Sequence, residues 1–135
     1  VHLEVNVHPV WNAEEIQSIA DTLRRQHIDG LIATNTTLSR EGVEGLPHAE
    51  EKGGLSGAPV FVRSTDVVRQ FSAALAGELP IIAVGGIMSA ADAQAKIAAG
   101  ASLVQIYTGF IYQGPGLIRE IAEALASKPF VCGLG

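Results

Sequence analysis

Apolar and polar residues alternate along this chain in segments that predict strands and helices in turn. Residues 1–8 carry apolar side chains at every second position, with His2, Glu4, Asn6 and His8 between them. This period of two predicts a half-buried strand. Residues 12–26 carry apolar side chains at helical spacing, and Asn12 is a candidate N-cap for that helix. The same patterns predict further strands at 31–34, 81–84 and 103–106, and further helices at 65–76, at 90–99 and after residue 116.

The predicted elements follow the order β-α-β, a long loop, and then α-β-α-β-α. Ser64 and Ser89 are candidate N-caps of the second and third helices. Strands that alternate with helices form a parallel sheet with right-handed crossovers. Four such units are half of a (β/α)8 barrel, which needs about 250 residues. We therefore predict an α/β fold of the TIM-barrel type, present as a half barrel in a single domain over residues 1–135. An open doubly wound sheet is the alternative, although no G-x-G-x-x-G motif follows the first strand.

The composition narrows the classes of function. The chain has 135 residues, is 47% hydrophobic and carries a net charge of −5 without a basic run, which disfavours nucleic acid and anionic membranes as partners. It contains no apolar stretch of the roughly 20 residues that span a membrane, and no signal-peptide pattern. Cys132 is the single cysteine, so an internal disulfide is excluded. We expect a globular cytoplasmic domain.

Polar residues and glycines stand where three of the predicted strands end. They are Thr34, Asn35 and Thr36 after the second strand, Gly85 and Gly86 after the third, and Tyr107, Thr108 and Gly109 after the fourth. The carboxyl ends of barrel strands meet at the edge that carries active sites. Glycines before a helix let backbone N–H groups approach an oxyanion closely. The Gly85–Gly86 pair therefore predicts a phosphate seat, with a plain strand-to-helix turn as the alternative.

Four motifs, in this order along the chain, resemble the carboxyl half of the quinone-linked dihydroorotate dehydrogenases. They are I-A-T-N-T-T at 32–37, G-G-L-S-G at 53–57, V-G-G-I at 84–87 and V-Q-I-Y-T-G at 104–109, and the resemblance extends over about residues 29–124. It implies an FMN-dependent (β/α)8 barrel that oxidises dihydroorotate to orotate in pyrimidine biosynthesis and passes electrons to a quinone. This chain would supply the last four β/α units, with an active-site loop at about 38–58, a length typical of functional lids or disordered segments.

The resemblance also implies roles for individual residues. Thr34 would lie against the flavin, and Asn35 and Thr36 would hydrogen-bond the substrate. Gly57 would line the cofactor site from the long loop. The phosphate of FMN would be held by the two glycine-ended strands through Gly85, Gly86, Tyr107, Thr108 and Gly109.

Some features of the family have no match in this chain. The proton-abstracting serine and the asparagine cluster have no counterpart, and Ser39, Ser56 and Ser64 do not replace them, so no catalytic residue is assigned. Asn6 stands where the resemblance implies a lysine that stabilises negative charge on the flavin, and an amide supplies no charge. We expect the isolated chain to leave bound flavin oxidised when dihydroorotate is added.

The alternative function is a non-catalytic flavin- or phosphate-binding half barrel, either a fragment or an engineered self-associating unit. The membrane contact of this class would come from a region that this sequence does not match.

The polar face of the first strand, formed by His2, Glu4, Asn6 and His8, is unusual for a barrel interior. We expect an edge strand or a solvent-facing strand. A metal site is the alternative, but His2 and His8 would lie about 20 Å apart along an extended strand, so further ligands would be needed and no metal is assigned. A half barrel leaves two open sheet edges, so we also expect self-association or pairing with an amino-terminal half.

Overall fold

The sheet consists of four parallel strands that lie side by side in chain order. The computed structural model describes residues 4–7 and 12–127, and for residues 4–6 only the backbone. The strands are β1 (Glu4–Val7), β2 (Gly30–Ala33), β3 (Ile81–Val84) and β4 (Leu103–Gln105). Each strand pairs with the next one along the chain, so the described strand order never reverses. A doubly wound sheet needs such a reversal, and the order observed is that of a barrel.

The helices cover one face of this sheet. They are α1 (Ala13–Arg25), α2 (Phe61–Leu75), α3 (Ala90–Ala98), α4 (Thr108–Gln113) and α5 (Gly116–Ala126). Neighbouring helices pack side by side, α1 against α2, α2 against α3 and α3 against α5. This arrangement follows from right-handed crossovers that all return on the same side of a parallel sheet.

Two of the predicted N-caps are confirmed. The Asn12 side chain accepts a hydrogen bond from the Glu15 N–H at 2.9 Å, and the Glu15 carboxylate accepts one from the Asn12 N–H at 2.8 Å, which completes a capping box. The Ser89 hydroxyl accepts a hydrogen bond from the Asp92 N–H at 3.2 Å at the start of α3. Polar side chains therefore fix where these two helices begin.

The prediction that Ser64 caps the second helix is wrong. A short 3-10 turn at Ala58–Val60 contains Pro59 and runs directly into α2, which begins at Phe61. Ser64 thus lies in the first turn of the helix, fully buried, and its hydroxyl contacts carbonyl groups instead of a capping N–H. The short helix α4 was also not predicted, because six residues are too few to show a period.

The main core lies between the sheet and helices α1 and α2. Its buried members include Ile16, Ala20, Leu23, Leu31, Val68, Phe71, Leu75 and Ile81. A second cluster joins α3 and α5 through Ala93, Leu117 and Ile121. Strand residues alternate in burial, since Ile81 and Ala83 are buried whereas Ile82 and Val84 are only partly so. The helix-facing side of the sheet is therefore the packed side.

The opposite face of the sheet is less well covered by the described residues, since Ile32 and Ile82 are only half-buried there. Ile32, Ile82 and Leu103 lie in one row across β2, β3 and β4, and Leu103 is 60% exposed. Such a face is the interior in a closed barrel. Within residues 4–7 and 12–127, β1 and β4 form the two edges of the sheet, so the prediction of an edge strand is confirmed for β1.

The polar face of the first strand lies largely outside the described residues. His2, His8 and the side chains of Glu4 and Asn6 are not among them, although the backbone of Asn6 pairs with Ile32. Among the residues that are described, no cluster of three or more histidine, cysteine or acidic side chains could hold a metal ion. None of the helices found in this part of the chain is long and apolar enough to cross a membrane.

Candidate functional site

The carboxyl ends of β2, β3 and β4 open into one cavity of about 250 Å³. The cavity is lined by Thr34, Asn35, Thr36, Ser56, Gly57, Val60, Val84, Gly85, Gly86, Ile87, Gln105, Ile106, Tyr107, Thr108 and Gly109. All the site residues predicted from the sequence are in this set. The carboxyl ends of parallel strands lie at the same edge of the sheet, which is why residues more than 70 positions apart meet there. None of these lining residues carries a carboxylate, so the cavity suits an anionic group.

The polar run after β2 is held between two strands. The Thr34 N–H donates to the Val84 carbonyl at 3.0 Å, and the Asn35 N–H donates to the Val7 carbonyl at 2.7 Å. The Asn35 side-chain oxygen accepts the Thr36 N–H at 2.7 Å. The side-chain amide nitrogen of Asn35 donates to none of the described residues. It is therefore available to a ligand in the cavity.

The turn after β3 consists of two glycines with positive φ, +111° at Gly85 and +75° at Gly86. A Cβ on Gly86 would lie 2.5 Å from the Phe61 Cα, so the backbone packs directly against the start of α2. A Cβ on Gly85 would lie 2.9 Å from the Ser64 hydroxyl oxygen. Side chains are excluded at both positions, which explains why the sequence has two glycines here.

Three residues at the ends of β3 and β4 line the cavity and have backbone N–H groups without a described acceptor. The N–H groups of Gly86, Tyr107 and Thr108 donate to no other described residue. A Cβ on Gly109 would collide with the Ile87 carbonyl oxygen, so the turn after β4 packs tightly against the turn after β3. Gly86 is buried and Thr108 is half-buried, so an N–H without a partner is costly at these two positions, and a bound oxyanion would supply the acceptor. These donors are compatible with a phosphate seat, although the first N–H groups of any helix, such as that of Thr108 in α4, also lack an intrahelical partner.

The long loop returns to the cavity at its end. Thr37 and Leu55 exchange two backbone hydrogen bonds, of 3.1 and 2.7 Å. The Thr108 hydroxyl donates to the Ser56 hydroxyl oxygen at 3.0 Å. Ser56 thus belongs to the cavity wall, although the sequence pattern did not single it out as a site residue. Its place between Leu55 and Gly57 in the G-G-L-S-G motif was the signal that could have identified it.

A buried lysine lies behind the glycine turn and was not predicted. Lys96 on α3 is fully buried, and its Nζ donates to the Ser64 hydroxyl oxygen at 2.5 Å and lies 5.0 Å from the centre of the Phe61 ring. Burial lowers the pKa of Lys96 from 10.5 to about 8, while the charge of Asp92 acts in the opposite direction. Its spacing of three residues from buried Ala93 was the available signal, because it places a lysine on the apolar side of the helix.

The fold and the cavity define a barrel-type α/β protein with an anion-compatible pocket at the carboxyl edge of its strands. A family model described as dihydroorotate dehydrogenase matches residues 1–128. The quinone dihydroorotate dehydrogenase of Paraburkholderia phymatum is 59% identical over 128 residues, which are 95% of this chain and 37% of that protein. The corresponding protein of Dechloromonas aromatica is 62% identical over 126 residues, 93% of this chain and 36% of that one.

Solved structures agree with this assignment. The dihydroorotate dehydrogenase of Eimeria tenella in complex with ferulenol aligns with a TM-score of 0.85 and 41% identity, over 91% of this chain and 32% of that one. The chain belongs to the dihydroorotate dehydrogenase family, and it spans little more than a third of the length of the curated relatives it matches. The resemblance seen in the sequence and the predicted barrel-type fold are confirmed. Membership in this family implies a flavin cofactor.

Proposed function

We propose that this chain supplies the last four β/α units of the barrel of an FMN-dependent dihydroorotate dehydrogenase. In this role it forms the part of the active-site cavity that binds the FMN phosphate and the substrate. The reaction is the oxidation of dihydroorotate to orotate, with a quinone as the electron acceptor. One observation carries the proposal. Gly86, Tyr107 and Thr108, whose N–H groups have no partners among the described residues, line the same cavity as the polar run Thr34, Asn35 and Thr36.

The phosphate of FMN fits the donors of the two glycine-ended turns. It is an oxyanion, and three N–H groups in a cavity without carboxylates are suited to accept it. Gly85 and Gly109 keep the turns free of side chains, and Gly57 lets the loop approach from the other side. When bound, FMN supplies the hydride acceptor of the reaction.

The polar run after β2 is suited to the substrate. Dihydroorotate presents ring amides and a carboxylate, to which the side-chain amide of Asn35 and the hydroxyl of Thr36 can donate hydrogen bonds. Thr34, which is only 2% exposed, would lie against the flavin, as the resemblance implies. These residues bind and orient, and none of them acts as a base.

Binding without oxidation is the second candidate function. It is favoured by Asn6, which stands where the resemblance implies a charged lysine. We also propose that the less well covered face of the sheet is closed by self-association or by the remainder of a barrel, since its open edges favour pairing.

A titration of the 135-residue chain with FMN, followed by quenching of flavin fluorescence, tests the proposal. We expect saturable binding that is at least tenfold weaker in Gly86→Ala, because the new Cβ displaces Phe61 and the turn with it. Gly77→Ala is the matched control, because Gly77 also has a positive φ, of +82°, but its Cβ would meet nothing within 4 Å. Circular dichroism checks that both variants fold.

The outcomes separate the candidates. Absence of saturable quenching, or equal affinities for the wild-type chain and Gly86→Ala, would overturn the phosphate seat. Addition of dihydroorotate to the FMN-loaded chain then distinguishes oxidation from binding. Loss of visible flavin absorbance supports oxidation by this chain, whereas unchanged absorbance supports the binding function.

A further inference from the structure

A chain of two hydrogen bonds leads from a buried ammonium group to the glycine turn. Lys96 Nζ donates to Ser64 Oγ at 2.5 Å, and the Ser64 hydroxyl lies 3.0 Å from the Gly85 carbonyl oxygen. The Phe61 carbonyl, 3.1 Å from the same hydroxyl, already accepts the Thr65 hydroxyl at 2.6 Å. Since an ammonium group can only donate, Ser64 must accept from Lys96 and direct its own proton to a carbonyl. The Gly85 carbonyl is the acceptor without another described donor.

The direction of the Gly85 carbonyl decides the direction of the next N–H. The carbonyl of Gly85 and the N–H of Gly86 belong to one planar peptide unit, in which the two groups point to opposite sides. Ser64 is fully buried on the α2 side of the turn, whereas Gly86 lines the cavity. Holding the carbonyl towards Ser64 therefore turns the Gly86 N–H towards the cavity. Two consecutive glycines have little steric preference of their own, so this peptide plane needs an external constraint.

We propose that Lys96 is a positioning residue, which acts through Ser64 to fix the Gly85–Gly86 peptide plane with its N–H directed at the phosphate. Lys96 does not line the cavity and does not contact the ligand. Its long buried side chain spans from α3 to the start of α2 and so locks both helices to the turn between them. This inference rests on the proposed phosphate seat and adds the residues that orient it.

Few charged groups surround Lys96, so its own protonation state decides whether the Ser64 hydroxyl donates to the Gly85 carbonyl. On α3 the charged neighbour is Asp92, and on α2 the facing groups are Phe61 and Ser64, which carry no charge. β4 has no titratable residue, and Arg119, Glu120 and Glu123 of α5 are exposed. With a pKa of about 8, Lys96 loses its proton in mildly basic solution. A neutral amine can accept the Ser64 proton, which releases the Gly85 carbonyl.

Paired titrations with FMN and riboflavin test the inference, because riboflavin lacks the phosphate. We expect the wild-type chain to prefer FMN, and Lys96→Met and Ser64→Ala each to lose FMN affinity by roughly ten- to a hundredfold with riboflavin affinity unchanged. The effects should be non-additive in the double variant, since both changes break one relay. The preference for FMN in the wild-type chain should also fall as the pH rises from 7 to 9, and in Lys96→Met it should stay constant.

Each failure has its own signature. A wild-type chain that does not bind FMN contradicts the proposed function itself. A wild-type chain that prefers FMN, with the same preference in Lys96→Met and Ser64→Ala, overturns the role of Lys96 and leaves the phosphate seat intact. Equal losses of FMN and riboflavin affinity in the two variants indicate general damage to the fold and also overturn the positioning role. Circular dichroism of both variants accompanies the titrations.

Discussion

At the scale of the residue, burial of Lys96 links the stability of the chain to pH. The folded state lowers the pKa of Lys96 from 10.5 to about 8, so between these values the folded protein holds fewer protons than the unfolded chain. Stability therefore rises with pH across this window. The free energy of unfolding contributed by this group should increase by about 2–3 kcal/mol between pH 8 and pH 10.5.

Urea unfolding of the wild-type chain and of Lys96→Met at several pH values measures this contribution. The difference in unfolding free energy between the two proteins should change in favour of the wild-type chain as the pH rises. Subtracting the Lys96→Met curve removes the other titrating groups, which both proteins share. A difference that stays constant from pH 7 to pH 10.5 would show that Lys96 titrates normally and is exposed to water in solution.

Single residues at the strand ends were predictable, whereas their supporting residues were not. Thr34, Gly86 and Thr108 stand out because polar or glycine residues interrupt an apolar strand. Lys96 and Ser64 could not be recognised in the same way. Their function depends on a contact between α2 and α3, 32 positions apart, and a lysine in a helix is ordinarily solvated.

At the scale of the element, Arg40 organises the loop between β2 and α2. Its guanidinium donates to the carbonyls of Ala49 at 2.9 Å, Glu51 at 2.7 Å and Gly53 at 2.8 Å. A guanidinium presents five donors spread over three nitrogens in a planar fork, whereas lysine presents three donors from a single nitrogen. Arg40→Lys should therefore loosen the loop and leave helices α1 to α5 intact.

Limited digestion with a glutamate-specific protease checks this expectation, because Glu41, Glu44, Glu50 and Glu51 all lie in the loop. Cleavage there should be roughly tenfold faster in Arg40→Lys, in line with the loss of about 1–2 kcal/mol of local stability. Arg69→Lys is the control, since Arg69 makes only an exposed ion pair with Asp66 on α2. Equal cleavage rates in the two variants would contradict the role of Arg40.

Periodicity predicted most elements, and its failures have local causes. The helices after Asn12 and Ser89 begin where predicted because each has a side-chain cap. α2 begins at Phe61, before the expected Ser64, because the turn with Pro59 starts the helix without any side-chain cap. The loop over residues 38–57 has no helix or strand, as expected for a segment rich in glycine and charge.

At the scale of the whole molecule, the order of the strands was predictable because each β/α unit adds the next strand on the same side. The face opposite the helices could not be judged in this way. Barrel interiors and exposed sheet faces share the same alternation of apolar residues, and the difference between them lies in what covers the sheet. In the described part of the chain, Ile32 and Ile82 are only half-buried on this face and Leu103 is 60% exposed.

This partly exposed row leads to a prediction about assembly. Leu103 is 60% exposed on this face, and the sheet has two open edges. We therefore expect this face to pack against a second copy of the chain. Sedimentation should then give a mass above the 14.1 kDa of one chain, rising with concentration. Leu103→Asp should return the mass to that of a monomer, because it places a charge in the contact.

Val62→Asp is the matched control, since Val62 is 78% exposed on α2, on the helix-covered side of the sheet. A monomer mass for the wild-type chain at all concentrations, or equal dissociation by both substitutions, would contradict pairing through the sheet.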